Sequence, residues 1–230
     1  MEGFLLSFVR SNSSLRSYFE EHVAPRSIRS RRSNAGICVI DDEPFAPQQN
    51  LRNYGYNITA LGDIKDVEEV LPFDVVLCDL MGVGQHLDKT LQGASLIAEI
   101  RRMFPEKYVV AYTSAAMSAT IARQATSMSD EILRKDIEME DWVSVLDRYT
   151  DLVQNPFLVW QRIRSSLVYK GIDTKNILLL ESAYVSSVER RDSSFSRLRA
   201  VSKSLNIHND VRAVINGVIG SIAFKYVFGG

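Results

Sequence analysis

The sequence predicts an α/β fold, a parallel sheet of five strands wound on both sides by helices and flanked by helical segments at either end. Three observations predict it. Between residues 35 and 153, apolar runs of strand length alternate five times with segments of helical period, the pattern of a doubly wound sandwich. Short connections with right-handed crossovers leave few other topologies for such a chain. Finally, charge divides the 230 residues into three parts. Residues 1–34 carry 6 basic and 3 acidic residues, residues 35–150 carry 10 and 19, and residues 151–230 carry 11 and 6. An acidic middle between basic flanks places boundaries near Asn34 and Thr150, so that the expected parts are 1–34, 35–153 and 154–230.

Taken in order, residues 3–24 read as a helix whose stripe of Phe4, Leu5, Phe8, Val9, Leu15, Tyr18, Phe19 and Val23 suits packing against protein. Arg10 and Arg16 alone supply too little basic face for an interfacial membrane helix. No basic residue precedes the apolar patch at Phe4 and no small-residue cleavage site follows it, so no secretory leader is expected. Residues Pro25 to Ser33 read as a solvated, arginine-rich linker. Strands follow near 36–41, 56–60, 73–79, 107–113 and 130–134, with helices near 45–54, 65–71, 93–104, 117–127 and 138–153. Gly55, Pro72 and Pro105 fall where helices must end. Cys38 and Cys78 lie inside apolar strands and read as reduced core residues, consistent with a cytoplasmic location.

Beyond Thr150, Asn155-Pro156 opens a helix through Tyr169, since proline suits a first helical position. Gly171 stops it, and Asp173 or Thr174 caps another with Ile177, Leu180, Tyr184 and Val188 on its apolar side. Arg190, Arg191, Arg197, Arg199 and Lys203 make a basic surface without the spacing of a helix-turn-helix or another base-reading module. The tail from Ala213 to Phe228 is the most hydrophobic stretch, yet it falls short of the roughly 20 apolar residues needed to span a bilayer. Ala213, Gly217 and Ser221 recur every four residues, which allows close approach of another helix.

The candidate chemistry lies at strand ends. The strand Ile37-Cys38-Val39-Ile40 runs into Asp41-Asp42, and Val75-Val76-Leu77-Cys78 runs into Asp79. Val109-Val110-Ala111-Tyr112 runs into Thr113, and Ile132-Leu133-Arg134 runs into Lys135. In an open parallel sheet, ligands bind outside the carboxyl ends of the strands. Adjacent acids there read as a hard-cation site.

This set of residues, in this order and on these strand ends, resembles the conserved site of the response-regulator receiver domain over residues 35–153. The resemblance implies a flavodoxin-like sheet of strand order 2-1-3-4-5 and a phosphorylation switch rather than an enzyme. It implies Asp79 as phosphoacceptor, Thr113 and Lys135 as its partners, and Mg²⁺ held by Asp41, Asp42, Asp79 and the carbonyl of Met81. It further implies a histidine kinase or phosphotransfer protein as donor, with output through protein–protein contact, and the helical flanks themselves are expected to self-associate. A DNA-binding regulator using the basic C-terminal helices is the alternative reading, and a membrane-acting effector the weakest. Three departures from the family stand out. The loop from Leu80 to Gln92 is longer than usual, lacks its proline and has two glycines, so a mobile lid is expected, with His86 exposed. Asp136 stands where a proline usually follows the lysine. Ile132 stands where a switch aromatic is common.

Overall fold

The computed structural model describes residues 27–114, 116, 119–205, 211, 212, 214 and 215. The helix expected over 3–24 and the close-packing repeat of Ala213, Gly217 and Ser221 lie outside the described residues. Two compact units divide the described chain, one spanning Ser27–Val153 and the other beginning at Gln154.

The first unit opens on a helix, α1 (Ile28–Asn34), capped by the Ser27 side chain. Then follow β1 (Gly36–Ile40), α2 (Gln48–Asn53), β2 (Asn57–Ala60), a 3-10 turn over Val67–Val70, β3 (Val75–Asp79) and α3 (Gly93–Met103). The unit ends with β4 (Tyr108–Thr113), α4 (Thr120–Thr126), β5 (Glu131–Arg134) and α5 (Met139–Val153). All strand pairs are parallel and the order is β2-β1-β3-β4-β5, the doubly wound arrangement that the sequence predicts. Because side chains alternate across a strand, Cys38, Ile40, Val76, Cys78, Val109 and Ala111 share a core with Leu96, Ile97 and Ile100 of α3 and Ile121 and Ala125 of α4. Tyr112 lies on the other face, where its ring meets Phe45 and Trp142 of α5.

Two elements differ from expectation. The helix expected over 65–71 is a single 3-10 turn, because Asp66 caps its start and Pro72, with no N–H, follows directly. The described part of the expected arginine linker is the helix α1, and two of its arginines, Arg31 and Arg32, are paired rather than solvated while Arg29 is exposed. Arg32 grips Asp147 of α5 with Nε to Oδ1 at 2.6 Å and a second guanidinium nitrogen to Oδ2 at 2.7 Å. Arg31 bonds Asp151, one helical turn on, at 2.6 Å. Tyr56 donates its hydroxyl to Asp147 at 2.7 Å and lies under the Arg32 guanidinium at 4.9 Å.

The second unit contains α6 (Pro156–Tyr169), α7 (Thr174–Glu189) and α8 (Ser196–Ser204). Asn155 accepts from Phe157 and Leu158 at the start of α6, and Asp173 accepts from Asn176 at the start of α7, as their capping chemistry demands. Trp160, Tyr184 and Phe195 form its centre, with Trp160 and Tyr184 stacked at 4.7 Å. Val211, Val214 and Ile215 join that core. Among the described residues no helix is long and apolar enough to cross a membrane.

Candidate metal centre at the carboxyl edge of the sheet

Parallel pairing carries the ends of β1, β3, β4 and β5 to one edge, and the polar residues that follow each strand meet there. Asp79, the last residue of β3, is 3% exposed, and Asp41, just past β1, is 6% exposed, whereas Asp42 faces solvent. These three carboxylates can each offer an oxygen within 4.8 Å of the others. Lys135 reaches over from β5, its Nζ 2.6 Å from Asp79 Oδ2 and 3.1 Å from Asp41 Oδ2. It does so although Asp136 follows it. Asp136 instead pairs with Arg134 at 2.8 and 2.9 Å.

Burial lifts the Asp79 carboxyl above its ordinary range, against the pull of Lys135 and with added repulsion from Asp41. For Lys135, burial works downward, but hydrogen bonds to Asp79 and Asp41 leave its ammonium above the usual lysine range. An ammonium so placed balances part of the charge that three clustered carboxylates create. The Cys78 thiol beside them is driven up by burial and then by the Asp79 charge, and Cys38 is pushed up to about 12 by burial. Both thiols are free and buried core groups.

The remaining expected residues join the edge through their backbones. Thr113 is fully buried, and its carbonyl accepts from the Lys135 N–H at 3.0 Å. Met81 donates its N–H to Asp79 Oδ1 at 3.3 Å, so both oxygens of Asp79 are engaged. His86 is exposed.

Three features escaped the sequence reading. Tyr112, in register with Asp79 across β3 and β4, donates its hydroxyl to Asp41 Oδ2 at 2.7 Å. A tyrosine directly before the strand-terminal Thr113 was the available signal. Gly82, at φ 84°, lies so close to Asp42 that a Cβ there would overlap the carboxylate. Gln92, itself at φ 43°, accepts from the Gly82 N–H through Oε1 at 2.8 Å. The loop after Asp79 is thereby fastened rather than free. Gly84 donates to Asp63 at 2.9 Å, and Asp88 accepts from Thr90 and Leu91 at 2.7 and 2.8 Å. Its glycines serve close approach and positive φ.

The donor set fits a hard divalent cation. The clustered ligands are carboxylate oxygens, which suit a hard cation, and the exposed Asp42 leaves room for the waters that Mg²⁺ keeps.

No family model and no curated protein matches the sequence. Among solved structures, similarity extends to a response regulator receiver domain protein from Methanospirillum hungatei JF-1, at 16% identity over 51% of this chain and 94% of that one, with a TM-score of 0.41. A response regulator from Thermotoga maritima is 17% identical over 51% of this chain and 98% of that one, with a TM-score of 0.42. A response regulator protein from Burkholderia pseudomallei, whose structure holds a phosphorylated aspartic acid, calcium ion and citrate, is 21% identical over 78% of this chain and 97% of that one, with a TM-score of 0.41.

Proposed function

We propose that the chain is a response regulator whose receiver unit accepts a phosphoryl group on Asp79 and signals through protein–protein contact. The observation that carries this reading is a nearly buried aspartate at a strand end, bonded to an ammonium at 2.6 Å and clustered with two further carboxylates. Aspartate is a competent nucleophile toward phosphorus. Phosphoryl transfer depends mainly on positioning and on neutralising the charge of the equatorial oxygens.

In this mechanism an Asp79 oxygen attacks the phosphorus of a phosphohistidine on a histidine kinase or phosphotransfer protein. A P–O bond forms as the P–N bond breaks, and the electron pair leaves with the imidazole, which then takes up a proton. The Met81 N–H and Lys135 hold the two Asp79 oxygens until attack, and Lys135 then moves its charge to the phosphoryl oxygens. The Thr113 hydroxyl, at the end of β4, donates to the same group. Asp42 and Asp79 would hold Mg²⁺ directly, with the Met81 carbonyl, and Asp41 through water. The bound cation supplies charge neutralisation on the transferring oxygens. The residues that follow the sheet provide the output surface. Self-association belongs to this reading and is supported by Tyr169, Val168 and Leu179, which the second unit leaves 93%, 55% and 43% exposed.

The test uses beryllofluoride, which mimics the phosphoryl group, with Mg²⁺ and fluorine NMR. The wild-type chain binds it, whereas Asp79→Asn, which lacks the nucleophile, and Asp42→Ala, which lacks a cation ligand, do not. Full occupancy in Asp79→Asn refutes the assignment.

A further inference from the structure

We infer that Tyr112 couples the acidic cluster to helix α5, its hydroxyl positioning Asp41 and its ring carrying the state of the cluster to Trp142. The inference rests on the metal-binding role proposed above for Asp41, Asp42 and Asp79.

The hydroxyl end comes first. Tyr112 is fully buried, and a buried phenol must find an acceptor. It donates to Asp41 Oδ2 at 2.7 Å, the same oxygen that Lys135 reaches at 3.1 Å, while the Glu43 N–H donates to Asp41 Oδ1 at 2.9 Å. Burial, then the hydrogen bond to Asp41, drives the phenol far above its ordinary range, so it is a donor at every physiological pH. A carboxylate offers about four acceptor positions, and both of those on Oδ2 are taken. Of the three donors, Glu43 belongs to Asp41's own loop and Lys135 is shared with Asp79. Tyr112 alone ties Asp41 to the interior of the sheet. A cation that enters the cluster repels Lys135 and competes for Asp41, so the Tyr112 bond must then carry the orientation of Asp41 or yield.

The ring end leads away from the cluster. Tyr112 meets Phe45 at 5.4 Å and Trp142 at 5.8 Å, and Phe45 meets Trp142 edge-on at 5.2 Å. The three rings therefore contact one another in a closed triangle, and any tilt of the Tyr112 ring displaces the other two, since a close-packed interior has no slack. Trp142, 1% exposed, stands in the first turn of α5. Its indole N–H is buried without an acceptor among the described residues. An unpaired buried donor is disfavoured, so a small shift that supplies a partner is favourable at this position. This separate observation, at the far end of the ring contacts, marks Trp142 as the receiving side chain.

The experiment labels the full chain with 5-fluorotryptophan, giving one fluorine resonance for Trp142 and one for Trp160, and titrates Mg²⁺ with calorimetry in parallel. In the wild type, Mg²⁺ binds and moves the Trp142 resonance while Trp160 stays in place. Tyr112→Phe keeps the rings and removes only the hydroxyl. It weakens Mg²⁺ binding by about tenfold, the loss typical of removing a partner that orients a metal ligand, and diminishes the Trp142 shift at saturation. Phe45→Leu keeps the hydroxyl bond and opens the triangle. It leaves the Mg²⁺ affinity within about twofold, because it leaves the ligand's own partners in place, yet it diminishes the Trp142 shift. A Trp142 resonance that stays apart from its position in the denatured chain reports that the first unit of each variant is folded. Unchanged affinity together with an unchanged Trp142 shift in Tyr112→Phe overturns the coupling while leaving the metal site standing. A wild-type chain that binds no Mg²⁺ overturns the metal site, and the coupling with it.

Discussion

Removing Arg32 should destabilise the first unit far more than the loss of a surface arginine would. Its guanidinium makes two bonds to Asp147, at 2.6 and 2.7 Å, and a third to the Tyr54 carbonyl at 3.1 Å. The arginine side chain is 14% exposed and its aspartate 36% exposed. Hydrogen bonds to charged groups contribute about 1.5–3 kcal/mol when sheltered. Solvent at Asp147 screens part of that, which leaves about 1–2 kcal/mol for the pair. The stack over Tyr56 at 4.9 Å adds about 0.5–1 kcal/mol. Arg32→Ala should therefore cost about 1.5–3 kcal/mol, and for a unit of this size the melting temperature should fall by about 5–12 °C.

The assay is a double-mutant cycle of Arg32→Ala and Asp147→Ala in a fragment spanning 27–153, followed by circular dichroism. Burial alone would raise the Asp147 carboxyl, but hydrogen bonds from Arg32 and Tyr56 outweigh it and hold the group below the usual range. A carboxylate depressed in the folded state stabilises fully above its unfolded value, about 3.9, and loses that contribution as pH falls through the lower folded value. The coupling should thus be equal at pH 7 and pH 5 and collapse below about pH 4. A fragment beginning at Ala35, without α1, should be less stable than one beginning at Ser27 by at least the Arg32 increment. Coupling below about 0.3 kcal/mol at pH 7, within the additivity expected of independent sites, would refute the clamp, as would coupling that survives unchanged at pH 3.

Two further predictions concern the cluster. Gly82→Ala should weaken Mg²⁺ binding at least about tenfold, because the new Cβ displaces Asp42, and the positive φ should cost about 1–2 kcal/mol besides; calorimetry and thermal melting separate the two effects. Lys135→Ala should retain Mg²⁺ binding, because the ammonium is a competitor of the cation; the same variant should lose the response to beryllofluoride, and loss of Mg²⁺ binding instead would make Lys135 part of the cation site.

The sheet and its acids were legible because each depends on local pattern. An apolar run that ends in aspartate reads as a buried strand reaching a ligand edge whatever lies elsewhere in the chain. Helix α1 was illegible for the opposite reason. It has no apolar stripe, and its stabilising partners, Asp147 and Asp151, lie 115 and 120 residues away from Arg32 and Arg31, so four arginines resembled a solvated tether. Glycines in the loop after Asp79 were visible but ambiguous. The same residue that permits motion also permits contact, and only the approach of Gly82 to Asp42 and of the Gln92 side chain to Gly82 decides between them. Tyr112 was hidden because its role follows from register. Nothing in the strand announces that its hydroxyl ends beside the first of two aspartates more than seventy residues earlier.

Ile132 and Tyr112 together indicate which face of the sheet senses the cluster. Pairing sets Ala111 opposite Ile132 and Tyr112 opposite Leu133, and paired residues share a face. Ile132 packs against the core cluster that includes Ile121 and Ala125 of α4, so an aromatic switch at that position would report to that face, and the aliphatic side chain there removes that reporter. Tyr112 faces the other way, toward Phe45 and Trp142 of α5. The same helix is held further along by Arg31 and Arg32 of α1. A change that enters α5 through Trp142 in its first turn meets a fixed point at Asp147, little more than one turn on. A rigid helix pinned there can answer a push at its start only by pivoting about the pin or by straining the α1 clamp. Under the coupling inferred for Tyr112, either response would pass through α1 and α5, which assigns the responding surface to the α1–α5 side of the sheet.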